Sequence, residues 1–149
     1  MTARLVIVGY DGSEGAQHAV EWAARTAAAL GTSLCIVHAV GLLEHAGLSG
    51  GAAVDSELPL KLARAAGLDP MRVEWKVEDG DPCTALLRVA EKAEEAGSAG
   101  RAGAEGPAAL LVVGSRGAGA HAGTVLGSTS LELAEHASVP VTIVPPSSG

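Results

Sequence analysis

The amino-acid sequence predicts an α/β fold in which five strands of a parallel β-sheet alternate with four helices. Short apolar runs, such as residues 5–8 and 109–113, have the length and composition of strands buried on both faces. Segments with helical periodicity separate these runs. The chain has 149 residues, 48% of them hydrophobic, which suffices for one core and is too short to expect two. We therefore treat residues 1–149 as a single domain.

The first half of the chain contains a strand, a helix and a second strand. A glycine-containing turn follows residues 5–8, and helical periodicity then runs from Ser13 or Glu14 to Gly31, a residue typical of helix C-termini. The second strand covers residues 33–40. A β-α-β order of this kind predicts parallel strands joined by a right-handed crossover.

The second half of the chain continues the alternation of helix and strand. Asp81 and Pro82 form the favoured start of a helix, a capping residue followed by proline. The predicted elements are a helix at 58–66, a strand near an edge at 71–77, the helix from Pro82, a strand at 109–113, a helix at 128–136 and a last strand at 139–144.

Two segments have compositions that disfavour regular structure. Residues 41–56 are rich in Gly, Ala and Ser without a sustained period, which predicts a mobile loop and a candidate lid. Residues 97–106 are too glycine-rich for helix or sheet, so we expect a flexible surface insertion with no assigned function.

Composition argues against nucleic acid and membranes as partners. The formal charge of −7 disfavours binding to phosphate backbones, and a chain without Phe lacks most of the rings on which bases stack. The sequence has no apolar run long enough to span a bilayer and no signal-peptide pattern at its start. With two cysteines in no disulfide or zinc pattern, a cytoplasmic location is expected.

The two cysteines have different predicted environments. Cys35 lies within an apolar run and is expected to be a small buried core residue. Cys83 lies in the first turn of a predicted helix, where the helix dipole would lower the pKa of its thiol and make it reactive. The alternative is a half-buried helix residue without chemistry.

The strongest functional signal is a glycine pattern that follows the fourth strand. Gly114 and Gly117 come first, nine residues follow, and Gly127 and Ser128 then open a helix. Glycines let the chain turn sharply and let a ligand approach the backbone. The unpaired N–H groups of a helix N-terminus bind anions, so the pattern predicts a phosphate site.

Two common phosphate-binding motifs do not fit this pattern. A Walker A loop would have Lys before Ser128, and the dinucleotide fingerprint would lie after the first strand. The pattern instead resembles G-x2-G-x9-G-(S/T), found in ATP-binding members of the universal stress protein family. The resemblance extends to residues 8–13, 36–38 and 135–141 and covers most of the chain.

The resemblance implies a Rossmann-like sheet of order 3-2-1-4-5 with helices on both faces. Strands one and four then adjoin where the order reverses, and ligands bind beyond the carboxyl ends of strands at such points. The implied ligand is ATP, with Mg²⁺ or Mn²⁺ accompanying the triphosphate. The implied contacts are Asp11 and the backbone near Val40 for adenine, Gly114 and Gly117 for the ribose and first phosphates, and Gly127, Ser128 and Thr129 for the remaining phosphates.

The loop between the glycines carries little positive charge. Arg116 and His121 are its only basic residues, and Arg116 above all is expected to offset phosphate charge. We expect backbone N–H groups to hold the phosphates. Without a Walker lysine or a clear base beside the phosphates, the sequence assigns no catalytic residue and supports at most slow ATP hydrolysis.

Several alternatives stay open at this point. Asp11 is equally suited to capping the first helix, and His38, Trp22 and Trp75 are interpreted as packing residues. The main hypothesis is an ATP-binding regulatory protein. A second is an interaction module without nucleotide, since Val141–Val144 would form a hydrophobic edge suited to a homodimer. A third is an adenylyl-transferring or flavin-binding protein.

Overall fold

The fold is a five-stranded sheet in the strand order β3-β2-β1-β4-β5, with every neighbouring pair parallel. It was obtained as a computed structural model, which describes residues 5–41, 54–98, 109–115 and 126–146. The strands are Leu5–Gly9 (β1), Ser33–Val40 (β2), Val73–Asp79 (β3), Ala109–Gly114 (β4) and Val141–Val144 (β5). This confirms the predicted fold class and sheet order.

Four helices and one 3-10 turn connect the strands within these ranges. The helices are Glu14–Leu30 (α1), Glu57–Ala65 (α2), Pro82–Ser98 (α3) and Ser128–His136 (α4), and the 3-10 turn is Pro70–Arg72. Over the described ranges no helix is both long and apolar enough to cross a membrane.

The core consists of two apolar layers, one on each face of the sheet. Alternate residues of β1 point to opposite layers, so Val6 and Val8 pack under α1 and α2, whereas Ile7 packs under α3 and α4. All three side chains are fully buried. The continuous apolar strands of the sequence are therefore explained by helices on both faces.

Helix α1 lies close to the sheet because its inner face is mostly alanine. Its buried residues are Ala16, Ala19, Val20, Ala23, Ala24 and Ala27. The Ser13 side chain accepts a hydrogen bond from the Ala16 amide at 3.2 Å and caps the start of the helix. Gly31 ends it in the left-handed conformation, with φ 67°, as its position in the sequence predicts.

Several predicted boundaries differ from the structure by one or two residues. The strand predicted from Met71 begins at Val73, because the Asp69 side chain accepts from the Met71 amide and holds residues 70–72 in a 3-10 turn. The last strand begins at Val141, after a proline that has no N–H for the ladder. Helix α3 continues to Ser98 and so includes the first two residues of the segment predicted to be non-helical.

The remaining segment predictions concern residues outside the described ranges. Residues 42–53 of the predicted loop and 99–106 of the predicted insertion lie there.

The burial prediction for Cys35 is confirmed, since this residue is 1% exposed. Burial raises the pKa of its thiol to about 12, so Cys35 is a neutral core residue at physiological pH.

Replacing Gly31 with Ala tests the helix end. A Cβ at Gly31 meets no atom within 4 Å, so the cost is the left-handed backbone alone. We expect Gly31→Ala to lower the free energy of unfolding by about 1 kcal/mol, measured by urea denaturation. Gly41→Ala is the matched control, since Gly41 also lies in open space but without a positive φ, and it should cost nothing. Equal losses in the two variants would contradict this explanation.

Candidate functional site

The candidate site lies where β1 and β4 end side by side. The two strands pair in parallel from Leu5 opposite Ala109 to Val8 opposite Val112. The sheet order reverses between them, since β2 and β3 lie on one side and β5 lies on the other. In open α/β sheets a crevice forms beyond the carboxyl ends of the strands at such a point.

Gly114 brings the end of β4 against the first turn of α1. A Cβ added to Gly114 would lie 2.9 Å from the carbonyl oxygen of Gly15 and 3.0 Å from its carbonyl carbon, both backbone atoms that cannot move aside easily. Glycine is thus explained here by a helix-strand contact. From the sequence alone, Gly114 is explained by a sharp turn and by the approach of a ligand. Its contact with the ribose and phosphates stays a prediction.

Gly127 begins helix α4 and is already hydrogen-bonded within the protein. Its N–H donates to the Ser115 carbonyl oxygen at 2.6 Å, and its carbonyl oxygen accepts from the Leu131 amide at 3.1 Å. The Gly127 amide is therefore not an unpaired donor, in contrast to the sequence-based interpretation. By helix geometry the amides of Ser128 and Thr129 have no acceptor within α4.

Ser130 is a feature of this site that sequence reasoning missed. It is 1% exposed, and its hydroxyl donates to the Gly114 carbonyl oxygen at 2.6 Å. The Ser115 amide donates to the Val144 carbonyl oxygen at 2.9 Å, which fixes the end of β4 against β5. The sequence does contain a signal for the burial of Ser130. It lies three residues before Leu133, which places both residues on the buried side of α4.

Asp11 shapes the turn that follows β1. One of its carboxylate oxygens accepts from the Ser13 amide at 2.9 Å, across two residues. The helix cap itself is Ser13, so the alternative that Asp11 caps α1 is wrong. Asp11 supports the cap from the preceding turn, and its contact with adenine stays a prediction.

Val40 is the last residue of β2, one strand further from the crevice. Its carbonyl oxygen accepts from the Gly80 amide at 3.1 Å, and the residue is half-buried. Asp11 and Val40 thus lie on the β1 and β2 side of the crevice, while Gly114, Ser128 and Thr129 lie on the β4 side. Arg116, Gly117 and His121 lie outside the described residues.

His38 and Trp75 pack together behind the turn after β1. The His38 ring is 6% exposed, and its Nδ1 lies 3.0 Å from the carbonyl oxygen of Tyr10. Because a carbonyl oxygen only accepts, Nδ1 carries the proton. The ring also stacks on Trp75, with centroids 6.0 Å apart and an interplanar angle of 21°. The prediction that both are packing residues is confirmed.

Cys83 does not have the activated thiol that its helix position suggested. It is 5% exposed, and burial raises the pKa of its thiol, as do the charges of Glu132 and Asp81 and a hydrogen bond to Glu132. Desolvation and two carboxylates therefore outweigh the helix dipole. The reactive interpretation is wrong, and the structural alternative stands with the residue buried.

Comparison with known proteins identifies the family. The model of the universal stress protein family matches residues 2–96 and 101–145. The chain belongs to this family. A universal stress protein of Mycobacterium tuberculosis H37Rv is 34% identical over 154 residues, 93% of this chain and 46% of the relative. One of Mycolicibacterium smegmatis is 30% identical over 148 residues, 95% of this chain and 45% of the relative. The chain spans about half the length of these curated relatives.

Solved structures, among them a universal stress protein, share the fold. One crystallised in complex with cAMP is 30% identical and superposes with a TM-score of 0.68 over 99% of this chain and 100% of that protein. A protein from Mycobacterium tuberculosis H37Rv, also 30% identical, has a TM-score of 0.56 over 97% of this chain and 96% of its own.

Metal ligands are a separate question from the nucleotide. Within the described ranges no group of three or more His, Cys, Asp or Glu side chains is arranged to hold a metal ion.

The environment of Cys83 leads to a test of its reactivity. In a Cys35→Ala variant, a thiol reagent should modify the native protein more slowly than a free cysteine at about pH 8, because a raised pKa leaves less thiolate. The rate should keep rising as the pH passes 9, roughly half a unit above the ordinary pKa. A rate that levels off below the ordinary thiol pKa would contradict this description; the unfolded variant in urea is the control.

Proposed function

We propose that this universal stress protein binds an adenine nucleotide, expected to be ATP, across the carboxyl ends of β2, β1 and β4. The observation that carries the proposal is the start of α4, which hydrogen bonds from Gly127 and Ser130 hold beside the end of β4. A helix N-terminus at a sheet switch point is a favourable place for phosphate.

A structural relative supports the class of ligand. The universal stress protein in complex with cAMP is 30% identical to this chain and is matched along its whole length. It shows that a similar chain binds an adenine nucleotide. The full G-x2-G-x9-G-S pattern in residues 114–128 favours a nucleotide with more phosphates in this chain.

The proposed orientation follows the layout of the crevice. Adenine lies toward Asp11 and Val40, and the phosphates lie toward β4 and the start of α4. The proposed phosphate and ribose contacts are Gly114, Arg116, Gly117, Gly127, Ser128 and Thr129. The amide of Gly127 is bonded to Ser115, so this glycine contributes by leaving space beside the phosphates. Mg²⁺ or Mn²⁺ would be held mainly by the phosphates.

We further propose a regulatory role with at most slow hydrolysis. Efficient phosphoryl transfer needs positioned positive charge and a group that orients the nucleophile. Residues 114–128 contain one arginine, one histidine and no lysine. This composition suits a protein whose loops become ordered when nucleotide binds better than it suits an enzyme that hydrolyses ATP rapidly.

Calorimetry with ATP and Mg²⁺ tests the proposal, with cAMP and adenosine measured in parallel. Gly127→Val should weaken ATP binding by about tenfold or more, because a branched side chain fills space next to the first turn of α4. The backbone of Gly127, with φ −73° and ψ 165°, suits valine, so the fold should survive.

The matched control is Glu135→Gln at the opposite end of the same helix. Glu135 is an exposed residue in the last turn of α4, and ATP affinity should be unchanged. Absence of heat from wild-type protein at millimolar ATP, or equal affinity in Gly127→Val and wild type, would refute the proposed nucleotide site.

The second candidate function, a homodimeric interaction module, is favoured by the edge strand β5. All four residues, Val141 to Val144, are only partly buried, and three of them are apolar. An apolar edge of this kind is a template for pairing with another chain. We propose that two copies associate through β5, with or without nucleotide.

Light scattering of Ile143→Lys tests the dimer. A lysine on β5 should convert a dimer to a monomer, because it places a charge in an apolar interface. Val77→Lys is the matched control on the opposite edge strand, where Val77 is 52% exposed, and it should leave the mass unchanged. A monomeric wild-type protein at micromolar concentration would count against association through β5.

A further inference from the structure

Ser130 differs from most serines in helices, because its side chain is buried and its hydroxyl is hydrogen-bonded to another element. It lies in the first turn of α4, where serine is usually exposed, yet it is 1% exposed. A buried hydroxyl without a partner is costly, and here the partner is the carbonyl oxygen of Gly114 at 2.6 Å. The bond joins the first turn of α4 to the last residue of β4.

A second bond joins the same two elements. The Gly127 amide donates to the Ser115 carbonyl oxygen, also at 2.6 Å. Consecutive residues of the strand end, Gly114 and Ser115, thus accept from Ser130 of α4 and from Gly127, the capping residue just before it, which are three positions apart. Residues three apart lie on one side of a helix, so the two bonds fix both the distance and the direction of α4 relative to β4.

Ser128 and Thr129 lie between these two attachment points. Their amides lack intrahelical acceptors and are the donors that a phosphate would use. Donors that are already fixed bind better than donors that must be ordered by the ligand. The bond of Ser130 is therefore suited to hold these amides in place without any contact between Ser130 and the nucleotide.

We propose that Ser130 is a positioning residue for the phosphate end of the nucleotide. The inference rests on the proposed function, since it concerns the same site. It predicts that losing the hydroxyl weakens binding of the phosphates selectively and leaves binding of the nucleoside part intact. A hydroxyl that serves stability alone would lower the melting temperature and change both affinities by the same factor.

Affinities for ATP and adenosine, compared in Ser130→Ala, test the proposal. We expect ATP to bind about tenfold more weakly and adenosine to bind within about twofold of wild type, a loss of the size expected for one hydrogen bond. Ser130→Thr, which keeps a hydroxyl, should restore most of the ATP affinity.

Thr26→Ala is the matched control. The Thr26 hydroxyl donates to the Trp22 carbonyl oxygen at 2.9 Å in α1, so this variant also removes a hydroxyl-to-carbonyl bond, but away from the crevice. It should leave both affinities unchanged. An equal loss for ATP and adenosine in Ser130→Ala would overturn the positioning role, as would a loss of the same size in Thr26→Ala.

Amide hydrogen exchange tests whether Ser130 holds the start of α4 in place in the absence of nucleotide. In wild type the Gly127 amide should be protected by its bond to Ser115, and in Ser130→Ala it should exchange about tenfold faster, while Ile7 in central β1 stays unchanged. Unchanged protection of Gly127 would overturn the inference. If wild type binds no nucleotide but Gly127 loses protection, the proposed function fails and Ser130 still positions the helix start.

Discussion

The parallel pairing of β1 with β4 is the constraint on which the rest of the molecule depends. Both strands lie in the middle of the sheet, and Val6, Ile7, Val8, Leu111 and Val112 are fully buried. The helices on each face are positioned by these side chains, and the candidate site lies where the strand order reverses between the two strands. Core and candidate site therefore follow from one contact between distant parts of the chain.

Among the described residues, the end of β4 and the start of α4 meet through close contacts of backbone and neutral groups. Gly114 lies against the backbone of Gly15, while carbonyl oxygens of Gly114 and Ser115 accept hydrogen bonds from α4. Neutral groups fixed in this way present helix amides to an anion without the desolvation cost of a buried cation. Such donors would suit the proposed phosphate site in a chain with a formal charge of −7.

The sequence predicted the elements well because their signals are local. Ser13, Gly31 and the start of α4 at Ser128 are determined by capping and by helical period within a few residues. The role of Ser130 could not be predicted this way, since its partner is sixteen residues earlier. The contact of Gly114 with Gly15 and the raised pKa of the Cys83 thiol also depend on residues brought together only by the fold.

The bonds at the start of α4 also bear on how much change the chain tolerates between Ser115 and Gly127. Ser115 and Gly127 are joined directly by a hydrogen bond, so their relative position is fixed within the described part of the chain. Lengthening a closed loop costs little free energy once its ends are fixed. A change of sequence or length between these two residues is therefore expected to leave the sheet and the start of α4 in place.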